Sequence, residues 1–283
     1  MDIIVGKLSG FCDGVRFTID KAKQLLEKYK KIYCIGEIVH NERVIEDLKK
    51  MGLIVVKDID EIPSHSKMII RAHGEVKDVY DKAKKKEIEV FDLTCGKVRA
   101  VRLKVGKKKD DCFIVIIGKC NHPETQGVQS FAGKDSFILE KKEEIPGFID
   151  FYHKSSMNKI YIVSQTTFNE NAFDELVDLL KSKMKDEIIV DKTICKATSN
   201  RQEEVDALSK EMDTMIIIGG KNSSNTKELE VISKKNCEHT ILIQDYHDLE
   251  NIKFQKNQRI GIMAGASTPE IVVNEVIDFI KNT

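Results

Sequence analysis

Short aliphatic runs alternate along the whole chain with longer amphipathic stretches rich in Lys and Glu. The runs predict strands, and the stretches between them predict helices, as where Ala172, Phe173, Leu176 and Leu180 recur at helical spacing. Strands that are apolar on both faces and alternate with helices are typical of covered parallel sheets, so we expect an α/β fold. The predicted strands are 3–5, 32–35, 53–56, 68–70, 89–91, 113–117, 160–163, 188–190, 215–218, 241–243 and 260–263.

An internal repeat arranges these elements around Cys12, Cys95 and Cys195. A predicted strand ending in glycine follows each cysteine after 23 or 24 residues, and a polar residue comes four positions later. A second strand then ends in another polar residue, 61 to 72 positions from the cysteine. The polar positions are His40, His122 and Ser223 in the first series, and His73, Thr166 and Ser267 in the second. We therefore expect three related α/β lobes, at residues 1–95, 96–192 and 193–283.

The repeat predicts a shared site, because ligands bind parallel α/β units where strands end. Three lobes packed around a pseudo-threefold axis would direct Cys12, Cys95 and Cys195 at one central cavity. Such a thiolate set suits zinc or an iron–sulfur cluster, and a cubane with three protein ligands keeps one iron open to a substrate oxygen. The alternative, three ordinary buried thiols, does not account for their shared place in the repeat.

Glycine-rich turns at two strand ends indicate an anion site. Gly219 and Gly220 precede a helix predicted from about Thr226, and Gly265 precedes Pro269, which suits the first position of a helix. Backbone N–H groups and the helix dipole attract a phosphate or diphosphate there, although Gly and Ser also serve turn geometry alone. The polar residues of these turns are Ser223, Ser224, Asn225 and Ser267.

Glu124 lies in the same loop series as His40 and Ser223. Beside a diphosphate and a reducing centre, its carboxyl group would be a proton donor. Equally, it follows Pro123 as a helix N-terminal Glu would, stabilised by the helix dipole. The residues alone leave both interpretations open.

Composition narrows the function class. The 46 basic and 46 acidic residues balance, which argues against a nucleic-acid binder, and the run Lys107–Lys109 is typical of a solvated helix face. With no signal sequence and no apolar run of membrane length, we expect a soluble cytoplasmic protein. Seven cysteines without a Cys-x-x-Cys pair indicate free thiols and exclude a local zinc ribbon or ferredoxin loop.

A set of ordered motifs spans essentially the whole chain and resembles the 4-hydroxy-3-methylbut-2-enyl diphosphate reductase family, which catalyses the last step of non-mevalonate isoprenoid synthesis. The matching segments are Gly10–Val15, Val39–Asn41, Arg71–Gly74, Asp92–Cys95, His122–Glu124, Ser164–Thr167, Thr198–Gln202, Lys221–Asn225 and Ala264–Ser267.

This resemblance implies three lobes around a 4Fe–4S cluster bound by Cys12, Cys95 and Cys195. Glu124 would deliver protons and Thr166 would orient the substrate hydroxyl, which the open iron binds. The products would be isopentenyl and dimethylallyl diphosphate, and a ferredoxin or flavodoxin would donate the electrons. The residues implied to grip the diphosphate are His40, His73, His122, Ser223, Ser224, Asn225 and Ser267.

Two other functions remain open: a metal-dependent hydro-lyase acting without net reduction, and a cluster-containing sensor that binds a diphosphate. Cys120 departs from the family pattern and is either inert or an oxidation-sensitive thiol. Cys34, Cys112 and Cys237 are expected to pack in or beside strands. The remaining histidines, expected at the surface, are His65, His153, His239 and His247.

Overall fold

The computed structural model describes residues 1–282. Its strands are β1 (Asp2–Val5), β2 (Ile32–Ile35), β3 (Leu53–Val56), β4 (Lys67–Ile70), β5 (Glu89–Asp92), β6 (Phe113–Ile117), β7 (Ser136–Leu139), β8 (Lys159–Ser164), β9 (Glu187–Val190), β10 (Thr214–Ile218), β11 (Thr240–Ile243) and β12 (Arg259–Ala264). Its α-helices are α1 (Asp13–Tyr29), α2 (Glu42–Lys50), α3 (Lys77–Lys85), α4 (Gly96–Lys108), α5 (Pro123–Ala132), α6 (Ile145–Tyr152), α7 (Glu170–Lys183), α8 (Lys196–Ser209), α9 (Ser224–Asn236) and α10 (Glu270–Lys281). Short 3-10 turns lie at Ile59–Glu61, Lys142–Glu144 and Tyr246–Leu249.

The strands form three four-stranded sheets in which every pairing is parallel. Their orders are β3-β2-β4-β5, β7-β6-β8-β9 and β1-β12-β10-β11. The predicted α/β class with three related parallel sheets is confirmed, and each predicted strand is present. One strand, β7, was not predicted from the sequence; it lies at the edge of its sheet.

The first strand belongs to the sheet of the last ones. β1 pairs with β12 from Asp2 opposite Arg259 to Val5 opposite Ile262. The chain forms two compact units, which we call the smaller unit (Met1–Phe17, Val39–Asp47 and the described residues from Lys196 onward) and the larger unit (Thr18–Ile38 and Leu48–Cys195). The smaller unit holds one sheet and the larger unit holds two. The division into lobes at residues 95 and 192 stays a prediction.

A separate hydrophobic core covers each face of the sheet of β6, which explains why this central strand is apolar at every position. In β6, Phe113, Val115 and Ile117 pack with α6 and α7. Ile114 and Ile116 point the other way, into a core shared with α4 and α5. Because side chains alternate along a strand, a sheet covered on both sides needs apolar residues at every position.

Among residues 1–282, none of the helices is both long enough and apolar enough to cross a bilayer.

Replacing Phe148 tests the core between α6 and the sheet of β6. Phe148 is fully buried, with its ring centroid 5.8 Å from that of Phe113. Phe148→Ala should lower the free energy of unfolding by about 3–5 kcal/mol, measured by chemical denaturation, because it opens a cavity. Phe151→Ala on the same helix is the control, since Phe151 is 41% exposed and should cost much less. Equal losses in the two variants would contradict this account of the core.

Candidate active site

The three repeat cysteines occupy equivalent places in the three sheets. Each follows an edge strand, Cys12 after β1, Cys95 after β5 and Cys195 after β9. Each also stands immediately before a helix, at the start of α1, α4 and α8. None of the three forms a disulfide, and all three are half-buried. A helix N-terminus favours negative charge, so these positions suit thiolates.

One backbone hydrogen bond recurs at each cysteine. The N–H of Cys12 donates to the carbonyl of Ala266 (3.1 Å), that of Cys95 to Ala72 (2.9 Å) and that of Cys195 to Thr166 (2.9 Å). Each accepting carbonyl lies two residues beyond the neighbouring strand, β12, β4 or β8. The cysteine loop is therefore anchored to the carboxyl end of its own sheet.

This geometry corrects one detail of the repeat. Register places Ile117 opposite Ser164 and Ile218 opposite Ala264, so the structural equivalent of Thr166 is Ala266. Ser267 corresponds instead to Thr167. The sequence alignment was off by one residue because β8 and its loop were matched by side-chain type, whereas the register follows backbone pairing.

Glu124 is a buried acid held by Thr166. It is 1% exposed at the start of α5, where Pro123 is the first residue of the helix. Its Oε1 accepts the Thr166 N–H at 2.6 Å, and its Oε2 lies 2.8 Å from the Thr166 Oγ1, which donates to it. Burial raises the pKa of Glu124 to about 7, against the lowering effect of the two hydrogen bonds. The side chain can therefore hold a proton near neutral pH.

His122 caps the same helix and shows which of its nitrogens carries a proton. Its Nδ1 accepts the N–H of Glu124 at 3.1 Å. In the neutral ring the proton then resides on Nε2, which becomes a donor. The ring of His73, half-buried, meets that of His122 edge-on with centroids 5.3 Å apart. The larger unit thus brings His73, His122, Glu124 and Thr166 to strand ends of its two sheets.

The smaller unit gathers a polar set of its own. Ser223 caps α9 by accepting the N–H of Thr226 at 3.3 Å, so the helix begins two residues earlier than predicted. Asn225 is 4% exposed, and within residues 1–282 neither its Nδ2 nor its Oδ1 has a hydrogen-bond partner. Ser224 is equally buried. An orphaned amide at a helix N-terminus fits a phosphate oxygen.

His40 and Ser267 meet in the same unit. The Ser267 hydroxyl donates to the carbonyl of His40 at 3.1 Å. A Cβ on Gly220 would lie 2.3 Å from that carbonyl, so the close approach requires glycine there. Pro269 caps α10 rather than occupying its first turn, a correction to the sequence expectation.

Several residues that support these loops had no role assigned from the sequence, although Arg201 and Gln165 lie within the matching segments Thr198–Gln202 and Ser164–Thr167. Buried Arg201 of α8 donates to the carbonyl of Gly10 at 2.8 Å, and Glu204 accepts the N–H groups of Lys7 and Leu8. They hold the segment that leads to Cys12. Buried Gln165 accepts the Lys119 N–H. A polar helix face without an apolar stripe was the available signal for Arg201 and Glu204.

The remaining cysteines and histidines behave as expected. Cys34, Cys112 and Cys237 are buried beside or within regular elements. His65, His153, His239 and His247 are exposed. Cys120 is exposed, and its hydrogen bond to Glu140 raises the pKa of the thiol. Because oxidation proceeds through the thiolate, this environment favours the inert interpretation.

Comparison with known proteins gives consistent matches. The model of the LytB protein family matches residues 3–281. The 4-hydroxy-3-methylbut-2-enyl diphosphate reductase of Thermoanaerobacter sp. (strain X514) is 40% identical over 286 residues, covering 99% of this chain and 97% of the relative. The enzyme of the same name from Clostridioides difficile (strain 630) is 35% identical over 287 residues, the full length of both chains.

Solved structures agree. The structure of the E-1-hydroxy-2-methyl-but-2-enyl-4-diphosphate reductase from Plasmodium falciparum superposes with a TM-score of 0.88 at 30% identity, covering 98% of this chain and 87% of that one. A second structure, described as the (E)-4-hydroxy-3-methyl-but-2-enyl diphosphate reductase that ends the non-mevalonate pathway, gives 0.70 at 35% identity over both full lengths.

The environment of Glu124 predicts a pH dependence of stability. Its pKa rises from 4.5 to about 7 on folding, so the folded chain binds more protons between these pH values. The stability contribution is fully present below about pH 4.5 and is lost as the pH rises to about 7. Relative to Glu124→Gln, the wild type should lose on the order of a few kcal/mol over this range, measured by denaturation at each pH. Exposed Glu143→Gln controls for loss of one carboxylate, and parallel pH profiles for wild type and Glu124→Gln would refute the assignment.

Proposed function

Because this chain belongs to the LytB family, we propose that it reduces 4-hydroxy-3-methylbut-2-enyl diphosphate to isopentenyl and dimethylallyl diphosphate, as an oxidoreductase of the non-mevalonate pathway. The observation that supports this most directly is the shared environment of Cys12, Cys95 and Cys195. Each is a half-buried cysteine outside any disulfide, at a helix start, anchored by the same backbone hydrogen bond.

Those cysteines fit an iron–sulfur cluster by their chemistry. Thiolate sulfur is the ligand that such clusters take, and the helix starts compensate the negative charge of the ligands. We propose Cys12, Cys95 and Cys195 as the ligands of a 4Fe–4S cluster. When bound, it would supply electrons one at a time and an iron that polarises the substrate hydroxyl.

The diphosphate would be held by neutral donors rather than by permanent cations. The amide of Asn225 and the N-terminus of α9 would contribute from the smaller unit, together with Ser223, Ser224, Ser267 and His40. From the larger unit, His122 would donate through Nε2, with His73 beside it. Burial of these groups supports the proposal, since hydrogen bonds to an anion strengthen where water is excluded.

Glu124 would provide the proton through Thr166. With Oε2 protonated, Glu124 donates to the Thr166 hydroxyl, which then turns its own proton towards the substrate hydroxyl. The raised pKa keeps this proton available near neutral pH. Thr166 also accepts the N–H of Cys195 through its carbonyl, so one residue joins the acid to a proposed cluster ligand.

The reaction balances with two electrons and two protons. The substrate C–O bond breaks, the hydroxyl leaves as water with one proton, and the allyl fragment gains the electrons and the second proton. Each electron would come from one reduced ferredoxin or flavodoxin, which is oxidised. This donor and the cytoplasmic location stay predictions.

Removing single cysteines tests the ligand set. After anaerobic purification, Cys12→Ser, Cys95→Ser and Cys195→Ser should each contain much less iron and acid-labile sulfide than the wild type, with turnover lost. Cys120→Ser and Cys112→Ala serve as exposed and buried controls and should keep both. Full iron and sulfide content in any of the first three variants would remove that cysteine from the ligand set.

Glu124→Gln separates the reductase from its rivals. The glutamine amide can still form hydrogen bonds with Thr166, but it cannot transfer a proton as an acid. Turnover should therefore fall about 100-fold or more while substrate affinity changes little. Turnover is measured with dithionite and methyl viologen, and affinity by calorimetry. If the wild type showed no turnover and Glu124→Gln bound the substrate with unchanged affinity, the protein would be a sensor. Water release without consumption of two electrons would indicate a hydro-lyase.

A further inference from the structure

The helix that begins after Cys95 has an unusual charge. α4 carries six basic residues and no acidic one, in a chain whose formal net charge is zero. Among the helices described in residues 1–282, every other one contains at least one acidic residue. The basic residues of α4 are Lys97, Arg99, Arg102, Lys104, Lys107 and Lys108.

Two carboxylates of the larger unit already pair with three of these six side chains. Asp92 pairs with Arg99 (3.6 Å) and Arg102 (3.7 Å), and Asp191 pairs with Lys104 (2.8 Å). Within the described part of the chain, Lys97, Lys107 and Lys108 form no ion pair with a carboxylate. The positive charge that is left therefore faces solvent.

The exposed face of α4 has an apolar centre. Val101 and Val105 are buried against the sheet of β6 and Val98 is buried on the same side of the helix, whereas Leu103 is 61% exposed on the other side. Gly96 and Ala100 extend that face towards Cys95. Arg99 and Lys107 are the charged residues one helical turn from Leu103, so this face combines an exposed apolar side chain with positive charge.

Glycine on this helix is not required by internal packing. A Cβ at Gly96 or at Gly106 would meet nothing within 4 Å. Glycine inside a helix costs about 1 kcal/mol relative to alanine. The space beside Gly96 and Gly106 is therefore not filled by the chain itself and is open to another molecule.

A groove of about 550 Å³ continues the basic surface. It lies between α1 and β5 and is lined by Lys21, Lys28 and Asp92 among others. Asp92 is the carboxylate that Arg99 pairs with, so the groove adjoins the first turns of α4. Lys21 and Lys28 therefore extend the positively charged surface of α4.

We propose that the exposed face of α4 is the docking surface for a small acidic protein that carries one electron at a time. This inference rests on the proposed function, which needs two such electrons per turnover. Helical rise places Leu103 about 12 Å along the axis from Cys95, so a carrier bound over the first three turns lies near a proposed cluster ligand. Each carrier would give up one electron, be oxidised and leave. Asp110 and Asp111, beyond the end of the helix, limit the docking surface to these turns.

Charge reversal on this face tests the proposal in the holoenzyme. Lys97→Glu/Lys107→Glu should lower kcat/KM for a reduced, acidic bacterial ferredoxin about tenfold at low ionic strength, because opposite charges accelerate encounter. The loss should shrink as salt screens the charges. Leu103→Ser should raise the KM for ferredoxin. With dithionite and methyl viologen as donor, turnover of all these variants should stay within about twofold of the wild type.

Lys84→Glu/Lys85→Glu on α3 is the matched control, since these lysines are also exposed, and it should change neither assay. Equal loss with both donors would place the effect in the fold or the cluster and overturn the docking surface. Unchanged kinetics with ferredoxin would overturn it as well. Absence of dye-driven turnover in the wild type would instead refute the proposed function.

Discussion

A backbone hydrogen bond at the carboxyl end of each sheet supports the proposed set of cluster ligands. The N–H of Cys12, Cys95 or Cys195 donates to a carbonyl two residues beyond the adjacent strand. The bond fixes where the thiol emerges and lets the next residue start a helix. Because a parallel strand presents its final carbonyls in one direction, the same contact recurs in three sheets with different sequences. This backbone contact positions the cysteine whatever the side chains around it.

Thr166 contacts both a cysteine loop and the buried acid. Its carbonyl accepts from Cys195, while its N–H and hydroxyl contact Glu124. Burying a carboxyl group without a cation is unfavourable when it is ionised, and the chain resolves this cost by raising the pKa of Glu124. Hydrogen bonds to Thr166 limit that rise. The balance leaves an acid that holds its proton at neutral pH and still releases it to a neighbour.

The sequence predicted the α/β class, the parallel sheets and the three equivalent cysteines, because these depend on local apolar runs and on repeat spacing. It did not predict that β1 completes the sheet of β12, since strand pairing between distant segments leaves no mark in either segment. The place of Thr166 was off by one residue, because backbone register decides equivalence and side-chain type does not. Arg201 lay in a matching segment, but its role was not predicted because it bonds backbone carbonyls, which every residue provides. Glu124 was left between two roles, and the structure shows that it occupies a helix start and is buried as well.

The pairing of β1 with β12 has a consequence for synthesis of the chain. The loop of Cys12 is anchored to Ala266, so β12 and Ala266 must have left the ribosome before that loop can take its place. Residues 48–195 contain most of the larger unit and can fold earlier from contacts nearer in sequence. The loops of Cys95 and Cys195 could then form before β1 pairs with β12. Assembly of a centre that uses all three thiols would therefore have to wait for the synthesis of β12.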